Sequence, residues 1–363
     1  MFCRGRKNEE RENKEIMFKT QKGKELYIEV LRIAAILLVI FNHTDGYFLY
    51  YSNTENPLTW WFSFVGSALC RVNVPLFIMI TGALLLEKEE SVRTLYKKRV
   101  LRIGIVLAVF SFFYYTLNVF RNAQNEFSFI DFLKGLLSGS IQESFWYLYL
   151  YLGLLLLLPL LRRMARGCRD GELRYLLILQ IVLGTGAGVF SFLTETGINN
   201  NLYLLNIYIF YLLAGYYLGR RVDMERVPKR WVIIVFVANV LCLFGTYLIV
   251  RLDYIRNGIY SQDMLNLFTP VLTMGIFFCV KWLCYRYDVS KNLKKLICEA
   301  GGCVFGIYLL EQLARIQLLP LYLFLSEKTF GVLACTCYVV CSFALAWLYT
   351  ELLKRVPLLR SVL

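Results

Sequence analysis

The sequence predicts an all-α, polytopic membrane protein with about ten transmembrane helices and both termini in the cytoplasm. Three observations predict it. The chain of 363 residues is 58% apolar and only 18% charged, whereas soluble domains average about 45–50% and about 25%. Its apolar residues fall in runs of roughly 20, the length needed to cross a hydrocarbon core. The Lys and Arg residues behind the net charge of +14 gather in alternate short loops. That is the positive-inside pattern of a multispanning protein and not a nucleic-acid patch.

The runs fall at about 26–50, 60–86, 103–120, 144–161, 174–193, 202–219, 231–250, 264–285, 302–323 and 331–353. Basic residues crowd the segment before the first run and the 87–102, 162–173, 220–230 and 286–301 loops, and recur after the last run. The loops between these hold few or none. The alternation gives ten spans with the odd-numbered ones running outward. Residues 1–24 are charged, lack an apolar core and read as a flexible cytoplasmic tail instead of a signal peptide. With no composition break, residues 25–363 read as one transmembrane domain. The eleven cysteines form no CxxC pair and the chain has one histidine. Neither a disulfide framework nor a metal site is expected, and no permanently bound cofactor.

The first run, VLRIAAILLVIFNHTDGYF at 30–48, keeps an arginine at 32 and the lone histidine at 43. Eleven residues apart on a helix, they stand roughly 16 Å apart along the axis and nearly eclipse each other at about 100° per residue. A charged group within a bilayer is costly and usually lines a cavity. The spacing therefore predicts one wet face, with Arg32 toward the inside and His43 toward the outside. Snorkelling of Arg32 and simple packing of His43 are the plainer readings. Arg71 falls well inside the second run and needs a partner, for which Asp45 is the candidate. Asn73 and Thr81 add polar lining or pack. Glu311 and Arg315, at i and i+4, either neutralise each other or serve a ligand. Glu143 and Trp146 border the outer mouth, although an interfacial aromatic belt also explains Trp146.

Arg, ten residues, then His in a first membrane helix resembles the signature of the acyltransferase-3 family, integral membrane enzymes that acylate cell-envelope glycans. RVNVPLFIMITGALLL (71–86) is similar to the family's second-helix segment. YKKRVLRI (96–103) carries Arg99-x-x-Arg102, like its basic cytoplasmic motif. SFWYLYLYLGLLLLLPLL (144–161) resembles its Trp-containing helix, and VFGIYLLEQ (304–312) its Gly-Ile-Tyr-Leu segment. Two positions depart from the pattern: Glu311 stands where His is common, and Phe145 precedes Trp146 where a polar residue or His is frequent. His43 is thereby the only imidazole available.

The resemblance implies a plasma-membrane O-acyltransferase. It would take an acyl group, acetyl above all, from cytoplasmic acyl-CoA to a hydroxyl of an envelope polysaccharide or glycolipid. Histidine, with an ordinary pKa of ~6.5, suits a general base near neutral pH, so His43 is expected to deprotonate the acceptor. Arg32, Arg99 and Arg102 are expected to hold the donor. Asp45, Arg71, Asn73, Thr81, Glu143, Trp146, Tyr308 and Glu311 are candidates for the acceptor path. The alternative is a transport module for a small solute, as implied by the related membrane domain of vancomycin-resistance serine racemases.

Overall fold

The computed structural model describes residues 26–44, 56–121, 126–197, 206–258, 260–356 and 359. The expected tail at 1–24 and Asp45 lie outside these. Among the described residues there is helix and no strand. The helices are α1 (26–42), α2 (Pro57–Cys70), α3 (Asn73–Leu85), α4 (Val92–Arg121), α5 (Phe129–Ser138), α6 (Trp146–Gly167), α7 (Asp170–Thr194), α8 (Ile207–Tyr216), α9 (Lys229–Asn257), α10 (Thr269–Arg286), α11 (Lys291–Gly301), α12 (Val304–Lys328) and α13 (Gly331–Leu353). Among the described residues, seven stretches are long and apolar enough to cross a membrane, with α2 and α3 counted together. The protein is thus a multi-pass, all-α membrane protein. The other three expected spans are helical at α1, α8 and α10. Over the described residues they do not combine the length and hydropathy of a crossing helix.

The second expected span is not continuous. Arg71 and Val72 form a turn between α2 and α3. Pro75 supplies the cause, because a proline ring collides with the carbonyl four residues earlier, here that of Arg71. The chain re-enters a helix only when Leu76 N–H donates to Val72. Arg71 is set at the break, where backbone groups are freed.

The described chain divides into two compact units. One comprises the residues up to Leu84 together with Asp170–Tyr349; the other comprises Leu85–Arg169 and the residues from Thr350. In the first unit, α1 turns Leu31, Ala35, Ile36 and Ile40 into a fully buried face, as the helical repeat of 3.6 allows. α3 and α8 touch backbone to backbone. A Cβ on Gly82 would lie 1.9 Å from the Leu212 carbonyl oxygen, and one on Gly215 would lie 1.9 Å from that of Met79. Only small residues permit such an approach, the usual device where helices pack in lipid. Trp60 of α2 stacks on Phe64 at 5.5 Å and meets the edge of Tyr247 of α9 at 6.0 Å.

In the second unit, Phe145 is buried and meets Tyr114 of α4 edge-on at 5.6 Å. α5 is capped by Ser128, whose hydroxyl accepts from Asp131 N–H, and stops at Gly139 in the left-handed region (φ 72°), where glycine carries no steric cost.

Candidate active site

α1 ends in one more helical turn: His43 N–H donates to Val39 and Ile40 carbonyls at 3.1 and 3.2 Å. The imidazole leaves the helix end beside α12. There the segment Gly306, Ile307, Tyr308, Leu309, Leu310 is buried and Glu311 is 0% exposed. A carboxylate out of water must be hydrogen-bonded and paired, and it is. Glu311 Oε1 lies 2.9 Å from His43 Nδ1, and Glu311 Oε2 accepts from Arg315 Nε at 2.6 Å. The same guanidinium donates through a second nitrogen to the His43 carbonyl. Tyr338 of α13 donates to the Arg315 carbonyl at 2.8 Å. Arg315 therefore ties the end of α1 to α12 while compensating the carboxylate.

The arrangement fixes the chemistry of the ring. An ionised carboxylate only accepts hydrogen bonds, so Nδ1 is the donor in this contact and Nε2 is not engaged by Glu311. A base oriented by a carboxylate at its other nitrogen is the geometry of a hydroxyl-activating dyad. The His43 side chain retains 25% of its exposure, so its ring is not sealed in.

Arg32, on the same helix, pairs with Glu29 at 2.7 Å. The second oxygen of Glu29 is buried without a hydrogen bond and lies over Gly301, where a Cβ would come within 2.2 Å of it. Arg71 Nη2 donates to Gln262 at 3.1 Å; the Asp45 partner expected from sequence is outside the described residues. Thr81 spends its hydroxyl on the Phe77 carbonyl of its own helix at 2.9 Å, and the Asn73 side chain accepts from the next backbone N–H. Both contacts are local to α3. Tyr308 is buried one turn before Glu311.

In the second unit, Arg99 sits on a π-type turn at Tyr96–Val100 inside α4. It donates to Glu90 at 3.0 Å. Arg162 of α6, 3% exposed, reaches the same carboxylate at 3.4 Å and the Leu85 carbonyl at 2.8 Å. Burial by itself would raise the Glu90 carboxyl. The hydrogen bonds and charges of Arg99 and Arg162 outweigh this and hold it below the usual carboxylate value. Arg102 is exposed, as are Glu143 and Trp146 at the start of α6.

Sequence reasoning pairs Glu311 with Arg315 but not with His43. It also passes over Glu29, Glu90, Arg162 and Gln262. The signals were present: Glu29 is three residues before Arg32, and Arg162 is a charge at the end of an apolar helix.

Helices of membrane length and a buried carboxylate holding an imidazole define a class, the integral membrane proteins with a polar cluster inside the helical bundle. The family profile of an acyltransferase domain matches residues 25–351. The chain belongs to the acyltransferase-3 family. No curated protein and no solved structure matches it.

Proposed function

We propose that the protein moves an acyl group, acetyl above all, from cytoplasmic acyl-CoA to a hydroxyl of a cell-envelope polysaccharide or glycolipid at the plasma membrane. Family membership supports a membrane acyltransferase. The observation that carries the finer reading is the contact of His43 Nδ1 with Glu311, which leaves Nε2 as a base. In the proposed step His43 Nε2 takes the acceptor's hydroxyl proton as the oxygen attacks the thioester carbonyl. The carbon–sulfur bond then breaks, and the thiolate leaves with the proton returned by the imidazolium. Such a base is worth typically 10²–10⁴-fold in rate.

Glu311 is a positioning residue in this scheme, because it sets the tautomer and stabilises the imidazolium. Arg315 pairs with Glu311 and holds it beside the ring. Arg99 and Arg102 supply guanidiniums suited to the donor's phosphates; Arg32 would meet the pantetheine arm once its contact with Glu29 opens. Arg71, Asn73 and Tyr308, with Asp45, Glu143 and Trp146, are the acceptor-path candidates; Thr81, whose hydroxyl is spent on its own helix, is the weakest of the set.

The test uses purified protein, labelled acetyl-CoA and isolated envelope glycan. Label should reach the glycan with wild type and not with His43→Ala. Transfer that survives the substitution overturns His43 as base. Uptake of a small solute into vesicles with no acylation would favour a transport module.

A further inference from the structure

Within the first unit an apolar cleft of about 520 Å³ lies apart from His43. Its volume falls in the range of small-molecule sites, about 300–1,000 Å³. The walls come from four places: Ile181 of α7, Leu218 of the π-type turn that follows α8, Val235 and Ala238 of α9, and Val271 and Phe278 of α10. Arg226 and Trp231, both exposed, join the lining at its mouth, and Asn239 adds one polar group to the wall.

That mouth is fixed. Lys281 of α10, itself buried, donates to the Leu218, Gly219 and Val222 carbonyls at 2.6, 3.1 and 2.8 Å. Trp282 Nε1 donates to Val227 at 3.1 Å. The rim is also cationic. Of the basic residues at 220–230, Arg220 donates to the Ala83 carbonyl and Arg221 meets Asp170 at 3.5 Å, while Arg226, Lys229 and Arg230 are exposed beside Asp223 and Glu225. Glu225 is engaged by the Tyr285 hydroxyl. Asp223 meets Arg226 at 3.5 Å with both side chains more than half exposed, a pairing of little strength. α9 begins at this rim after Pro228 with no side-chain cap, so the positive end of a 29-residue helix adds to the field. Trp231 is half-exposed beside it, as an interfacial tryptophan is at headgroup depth.

An apolar hollow under a cationic rim fits neither a soluble anion, which would leave the walls wet, nor a neutral apolar solute, which would leave the rim unanswered. We infer that the cleft holds one acyl chain of an anionic phospholipid of the leaflet facing the 220–230 loop, the cytoplasmic one by charge. The phosphate rests on Arg226 and Arg230. The inference is independent of acyl transfer.

Native mass spectrometry of the full chain, offered equal phosphatidylglycerol and phosphatidylcholine in mild detergent, tests it. Wild type should retain phosphatidylglycerol about tenfold over phosphatidylcholine. Arg226→Gln with Arg230→Gln, both on the surface, should abolish that preference, about tenfold in all, and bring the two lipids to near-equal retention with an unchanged thermal midpoint. Val235→Trp, which fills the hollow, should lower retention of both lipids. Equal retention of the two lipids by wild type overturns the inference, as does retention indifferent to all three substitutions. Displacement of phosphatidylglycerol by equimolar palmitoyl-CoA would also overturn it and make the cleft a donor site.

Discussion

Each unit holds a carboxylate between two nitrogen bases, and the two clusters differ in what they can do. In the first, Glu311 is fully buried between His43 and Arg315. In the second, Glu90 is 15% exposed between Arg99 and Arg162. Both of Glu90's partners are guanidiniums, always charged near neutral pH, so that cluster can hold anions or structure but cannot exchange protons. In the first cluster an imidazole stands where the second has a guanidinium, which is why the proposed base lies there and not at Glu90. The contrast teaches that burial and charge pairing alone do not single out a reaction centre; the kind of side chain that answers the carboxylate is what separates the two clusters.

The comparison breaks most readily at Glu311. Glu311→Ala should cost up to about 3–5 kcal/mol, because it removes the fully buried carboxylate that answers the part-buried Arg315. A thermal midpoint in detergent unchanged from wild type would show that the carboxylate does not bridge α1 and α12. His43→Ala leaves the Glu311–Arg315 contact in place. Its midpoint should fall far less than that of Glu311→Ala, while acyl transfer drops by about 10²–10⁴-fold. Glu311→Gln sharpens the difference: transfer should fall while expression is kept, and a full wild-type rate would mean that the negative charge is not used.

At the second cluster, Glu90→Ala should cost about 1–3 kcal/mol by leaving the buried Arg162 poorly answered. Because the Glu90 carboxyl titrates below its ordinary value, its contribution is complete above the usual carboxylate range and disappears as pH falls through the depressed value. The stability gap between wild type and Glu90→Gln should therefore be widest near neutral pH and close on acidification. Thermal melts of both proteins across a pH series read this directly; a gap that grows toward acid would contradict the arrangement. The smallest effect belongs to Thr81→Val, below about 1 kcal/mol, with transfer intact, since the hydroxyl serves its own helix. A large loss of transfer there would put Thr81 on the acceptor path.

Much of this was readable beforehand, and the reasons for the rest are physical. Hydropathy and loop charge yield helices and orientation because lipid punishes unpaired backbone groups uniformly. Helical period places Glu311 over Arg315, and both stay on α12 in the structure. It cannot place His43, which is 268 residues away, since a period reports a face and not what covers it. The break at Arg71 was encoded by Pro75 four residues later and is invisible to a running hydropathy average. Arg99 and Arg102 look alike as a motif, and nothing in it announces Glu90, which tertiary packing brings to Arg99.

The crossing of α3 and α8 has an implication for how the chain tolerates change. Where two main chains meet with nothing between them, there is no side chain to trim and no rotamer to shift. A single added methyl at Gly82 or Gly215 must push aside a carbonyl belonging to the opposite helix. Two stretches more than a hundred residues apart in the gene are thus locked to a shared alphabet of one letter at those points, whatever drift their lipid-facing neighbours accept.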